Sequence, residues 1–140
     1  MLKKVRINVA SRILRDGEST PEIANESYVG SMRSEGDEVK LSYSNDTEGG
    51  KVSTSITVAG GGVLVTRKGA LASELYFSEN GIYKSFYAIP PYRFDLTATT
   101  RTLKINIDES LCEIEISYEL DVGGARSVND MHICVFEVEK

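Results

Sequence analysis

The sequence predicts an all-β protein, a closed antiparallel meander β-barrel of about eight to ten strands. Three observations carry that expectation. Apolar and polar residues alternate with period two along most of the 140-residue chain. Turn-forming residues interrupt the chain at short intervals. One long segment switches its apolar face midway, as a strand does where it bends around a barrel corner.

The breaks fall at Asp16-Gly17, Glu35-Gly36-Asp37, Glu48-Gly49-Gly50, Gly60-Gly61-Gly62, Lys68-Gly69, Asn80-Gly81, Pro90-Pro91, Asp108-Glu109-Ser110 and Gly123-Gly124. They leave about ten segments, and regular turns between short alternating segments suggest a sandwich or a barrel. Closure is favoured because an open sheet of this many strands would leave two reactive edges. Asn80-Gly81 is the sharpest break, since both residues tolerate the positive φ of a type I′ hairpin turn.

Taken in order, the segments show one face each. Val5, Ile7 and Val9 share the first. Ser19 to Ala24, after Thr20-Pro21, is the one stretch where a short helical turn is expected. Val39, Leu41 and Tyr43 share a face, as do Ile56 and Val58, then Val63 and Val65. Phe94, Leu96 and Ala98 are even-numbered, whereas Leu103, Ile105 and Ile107 are odd. A β-bulge between Thr99 and Thr102 would turn both halves of this segment inward. Ile114, Ile116, Tyr118, Leu120 and Val122 alternate with Glu113, Glu115, Ser117, Glu119 and Asp121, the pattern of a strand with one wet face.

Matching apolar faces gives a register for the last three strands. Across the Asp108-Ser110 turn, Ile105 should oppose Ile114, Leu103 should oppose Ile116, and Lys104 should meet Glu115 as a favourable cross-strand charge pair. In the last hairpin the same matching places Met131 opposite Tyr118, Ile133 opposite Ile116 and Val135 opposite Ile114.

Composition narrows the class. A chain this long suits one domain spanning 1–140 and buries roughly 68% of its unfolded surface, enough for a core without disulfides or metal. Apolar residues make up 41% and charged residues 26%, which reads as globular rather than disordered. The net charge of −5 repels phosphate backbones, so nucleic acid is not an expected partner. No apolar run nears the ~20 residues that span a bilayer, and no apolar stretch of a signal peptide follows the basic start. A cytoplasmic location is therefore expected, with reduced cysteines; the sequons at Asn25 and Asn45 are then chance matches.

Most residues that could carry chemistry read better as structure. Cys112 falls on the inner face and Cys134 on the outer, so they cannot bridge. Neither has a CxxC partner or a paired histidine, and no metal site is expected. His132, the one histidine, falls outside near Ser117, with Asp130 and Glu119 as neighbours. The Gly60-Gly61-Gly62 run leads into a strand rather than a helix, so it is a hairpin turn and not a phosphate cradle. Glu113, Glu115 and Glu119 form a solvated stripe, which lacks the burial that acid–base pairs need.

Arg67 stands apart. It continues the parity of Val63 and Val65, so it should point inward or sit at the barrel rim. A buried guanidinium needs an anionic or hydrogen-bonding partner. That partner is either a ligand or an internal acid such as Glu74. Tyr43 and Tyr118 share faces with aliphatic residues, and Tyr87 belongs to an aromatic cluster from Ala72 to Arg93. Tyrosine puts a hydroxyl at the tip of an apolar body, which suits either core packing or a pocket wall.

A resemblance follows from a series of short motifs. Val63-Leu64-Val65-Thr66-Arg67-Lys68-Gly69 resembles the "v-x-l-x-R-x-G" element of the YwiB-like proteins, a bacterial domain of unknown function. Val39 to Tyr43, Tyr87 to Pro91, Thr100 to Leu103 and Ile116 to Leu120 match in order along nearly the whole chain. Tyr92 and Arg93 stand where many relatives carry a glycine. The resemblance implies a calycin-like, lipocalin-like barrel and no established activity.

The function expected from these readings is that of a cytosolic, non-enzymatic barrel. Its lumen takes a small, partly apolar ligand, anionic if Arg67 faces inward, with Arg67, Tyr43, Tyr87 and Tyr118 as its lining. No catalytic residue, metal or cofactor is expected, and no membrane partner. The alternative is a module for protein–protein interaction or self-association, a homodimer if the outward apolar candidates Leu64, Leu71, Cys134 and Phe136 form one patch. An enzyme ranks third and would need a buried titratable pair, for which Arg67 with Glu74 or a tyrosine is the one suggestion.

Overall fold

The breaks in the sequence fall between strands or at their ends wherever the computed structural model describes them, over residues 2–108 and 111–138. The strands are β1 (Leu2–Arg15), β2 (Glu22–Glu35), β3 (Glu38–Thr47), β4 (Gly50–Ala59), β5 (Gly62–Gly69), β6 (Ala72–Phe77), β7 (Ile82–Ile89), β8 (Tyr92–Ile107), β9 (Leu111–Val122) and β10 (Ala125–Glu137). Each pairs antiparallel with the next, and β1 closes the ring on β10. The expected closed meander barrel is what forms. Glu109 and Ser110, at the expected turn between β8 and β9, lie outside the described residues.

The helical turn expected over Ser19 to Ala24 is absent. β2 begins at Glu22 and pairs at once with β1, Glu22 opposite Ile13 and Ile23 opposite Arg12. Pro21 disfavours helical geometry in the residue before it, and the β1 edge satisfies the backbone that follows.

The bulge is where the parity switch puts it. Thr100 opposes Tyr118 and Thr102 opposes Ser117, leaving Arg101 unmatched. Beyond it Leu103 meets Ile116, Lys104 meets Glu115 and Ile105 meets Ile114, as expected. The last hairpin differs by two residues. Met131 opposes Ile116, Ile133 opposes Ile114 and Val135 opposes Cys112. Gly123 (φ 59°) and Gly124 (φ 93°) both adopt positive φ, as a two-residue type I′ turn demands. Val122 therefore faces Ala125 directly, and that pairing sets the whole ladder. Apolar matching could not see this, because a shift of two keeps every side chain on its face.

The connection after β6 also departs from expectation. Asn80 has φ 58°, but Gly81 does not share it, and the Gly81 N–H donates to the Ser78 carbonyl at 2.8 Å. Positive φ at the third position alone is a type II pattern, not type I′.

The lumen has two halves. At the end where β1 begins it is packed solid by side chains such as Ile7, Leu41, Ile56, Val63, Phe77 and Ile114, each at most 2% exposed. At the other end β2 and β3 part. They pair only from Ser31–Ser42 to Glu35–Glu38, after which β2 stays on β1 and β3 on β4. Gly30 sits at the parting, where a Cβ would lie 2.2 Å from the Ser42 carbonyl oxygen. Tyr28 stacks on Tyr43 across it, with ring centroids 4.2 Å apart and planes 11° from parallel.

Candidate functional site

The open half of the lumen is a cavity of about 330 Å³ lined from all parts of the barrel wall. All four residues singled out in the sequence, Arg67, Tyr43, Tyr87 and Tyr118, line it. Register explains why. Tyr43 opposes Thr54, Thr54 opposes Arg67, Arg67 opposes Ser73, and Ser73 opposes Tyr87. These five residues form one layer across β3 to β7, all facing inward. Tyr118 and its partner Asn129 supply the facing wall from β9 and β10.

Arg67 is the one cation among the described lining residues. No hydrogen bond or ion pair holds its guanidinium among the described residues. Glu74, the internal acid considered as its partner, is on the opposite face and accepts a hydrogen bond from the Tyr83 hydroxyl at 2.5 Å. Ser73, beside Arg67, is 2% exposed and its hydroxyl has no hydrogen-bond partner among the described residues. Sequence reading missed Ser73: a serine within a strand carries no signal until burial and parity are known.

Two of the phenols at the cavity, Tyr118 and Tyr28, hold their protons more tightly than free tyrosine. Burial pushes Tyr118 above the ordinary tyrosine value, against the pull of the Arg67 charge. Tyr28, which hydrogen-bonds to Glu26 at the mouth, is raised by burial first, then by that bond and by the Glu26 charge. The cavity thus presents the Arg67 guanidinium, the Glu26 carboxylate bonded to Tyr28, several hydroxyls and apolar walls from Val9, Leu75 and Leu96.

The outward candidates do not gather into one patch. Leu71 lines the lumen instead, because it continues the inward parity of Ser73 and Leu75. Leu64 is on β5, five strands around the ring from Phe136 on β10. Phe136 is 45% exposed and shares a groove with Cys134.

Outside the barrel, the corrected β9–β10 register changes the neighbours of His132. Its cross-strand partner is Glu115 rather than Ser117, and its side chain meets Glu113 and Cys134 rather than Glu119. His132 Nε2 lies 3.2 Å from Glu113 Oε2, and Cys134 Sγ is 3.6 Å from each of those atoms. Asp130 instead accepts a bond from the Ser117 hydroxyl at 2.6 Å, and Glu119 pairs with Arg101 at 3.0 Å. Both cysteines are free thiols, Cys112 buried inside and Cys134 half-buried outside.

The fold and the cavity define a class: a ten-stranded meander barrel, packed at one end and open with a polar lining at the other. Residues 7–134 match the family described as a domain of unknown function (DUF1934), and the chain belongs to that family. It is 32% identical over 85 residues to the uncharacterized β-barrel protein YwiB of Bacillus subtilis, a stretch covering 61% of this chain and 60% of that relative. The crystal structure of the Bacillus subtilis protein superposes with a TM-score of 0.88 at 26% identity, covering 99% of this chain and 94% of the other. No helix is long and apolar enough to cross a membrane among the described residues.

Proposed function

We propose that this protein is a cytosolic, non-enzymatic binding barrel that takes a small, partly apolar anion into the open half of its lumen, as lipocalin-like barrels use theirs. The observation that carries the reading is Arg67: a guanidinium lining a cavity of about 330 Å³ and in no ion pair among the described residues, while Glu26, the one carboxylate among the described lining residues, accepts from the Tyr28 hydroxyl. A low-dielectric wall makes an unpaired charge costly, and an anionic ligand would offset that cost. The unpartnered Ser73 hydroxyl offers the same ligand a second hydrogen bond. The volume suits a compact molecule, at the lower limit of roughly 300–1,000 Å³ typical of ligand sites.

The test uses 8-anilinonaphthalene-1-sulfonate, an aromatic anion, followed by displacement with small carboxylates and phosphates bearing apolar tails. Binding should weaken by about 10–100-fold in Arg67→Met, the scale of a lost charge-assisted hydrogen bond. Ser73→Ala should weaken it less and leave the melting temperature equal or higher. Dye binding that is absent, or indifferent to Arg67→Met in a folded variant, would refute the reading.

A further inference from the structure

We infer that the outer face of the β9–β10 hairpin carries a transition-metal site, with Glu113, His132 and Cys134 as ligands to a zinc-class divalent cation. The site is separate from the lumen, because these three side chains point away from it.

The first support is geometric. A tetrahedral zinc ion with bonds of about 2.3 Å to sulfur, 2.05 Å to nitrogen and 2.1 Å to oxygen requires ligand–ligand edges of about 3.6 Å (S–N), 3.6 Å (S–O) and 3.4 Å (N–O). The corresponding distances are 3.6 Å for Cys134 Sγ to His132 Nε2, 3.6 Å for Cys134 Sγ to Glu113 Oε2, and 3.2 Å for His132 Nε2 to Glu113 Oε2. The three donor atoms already form the triangular face of such a tetrahedron. Its fourth vertex is left for water, as in three-ligand zinc sites.

The second support is the way the strands hold the ligands. His132 and Cys134 are two residues apart on β10, so the pleat puts them on one face. Glu113 is the direct cross-strand partner of Cys134, and Glu115 that of His132. All three donors sit on paired backbone, which limits the ordering cost of binding. Thiolate, imidazole and carboxylate together select zinc, cobalt or copper over calcium or magnesium. Charge favours a cation as well. Glu113 and Glu115 place two carboxylates on this face, opposite Cys134 and His132.

Cobalt(II) titration of the whole protein under reducing conditions tests the inference. One equivalent should bind, with a thiolate-to-cobalt charge-transfer band in the near ultraviolet and visible bands of tetrahedral intensity. Cys134→Ala and His132→Ala should abolish these bands, and Glu113→Gln should weaken binding tenfold or more. Cys112→Ala, which removes the inward thiol, should leave the spectrum unchanged. Zinc should protect Cys134 from alkylation in the native protein, a readout that needs no variant. No charge-transfer band at millimolar cobalt, or a band that survives Cys134→Ala, would overturn the inference. An anion-binding result for Arg67→Met has no bearing on it.

Discussion

Burial gives the two thiols different chemistry. Cys112 is 2% exposed among aliphatic neighbours, and desolvation, with a smaller push from Cys134, raises it from 9.0 to about 11. An unfolded chain releases this proton near pH 9, while the folded protein keeps it to about 11. Below pH 9 the group leaves stability unchanged; as pH rises from 9 to 11, stability falls, by at most about 2.7 kcal/mol. Cys112→Ala should remove that part of the alkaline decline, although it lowers stability at every pH. Urea unfolding of both proteins at about pH 8 and about pH 10.5 measures the difference, and equal declines would show that Cys112 does not contribute. At the same scale, Arg67 was legible because parity from Val63 and Val65 aims it inward. Its lack of a partner was not legible, since Glu74 is near in sequence and only the opposite face of β6 separates them.

At the scale of elements, the bulge in β8 shows a residue whose presence matters more than its side chain. Arg101 is exposed and its ion pair with Glu119 lies at the surface, so Arg101→Ala should cost less than about 1 kcal/mol. Deleting Arg101 shifts Leu103 and Ile105, which pack against the core, by one position and turns them to solvent. The deletion should remove more than about 3 kcal/mol or abolish cooperative melting in circular dichroism. A deletion variant of near-normal stability would show that β8 slips without cost. The β9–β10 ladder makes the complementary point. Two glycines at positive φ set a register that apolar matching misses by two residues, and that difference decides whether Glu113 or Glu115 stands beside Cys134.

At the scale of the molecule, one lumen serves two ends. Leu41 is fully buried in the packed half, and Leu41→Ala should cost about 2–5 kcal/mol. Its dye affinity, measured on the folded protein, should change less than twofold. Arg67→Met should do the reverse, changing affinity strongly and stability little. Variants that shift both quantities together would show that the halves act as one unit. The separation follows from composition along the strands: the aliphatic half of each inner face excludes water, while Thr54, Arg67, Ser73 and Asn129 keep the other half polar.

The sequence by itself determined a closed barrel of about eight to ten strands, most of their inward faces, a bulge between Thr99 and Thr102, the separation of the thiols and the inward aim of Arg67. Each is a consequence of period-two alternation and local turn chemistry, which act over a few residues. The tertiary structure decided what depends on how strands align and part: the cavity beside the β2–β3 opening, the lack of an ion pair for Arg67 and of a partner for the Ser73 hydroxyl among the described residues, and the meeting of Glu113, His132 and Cys134. Alternation specifies a face but not a register modulo two, and an open half-lumen arises only where closed packing of many strands runs out.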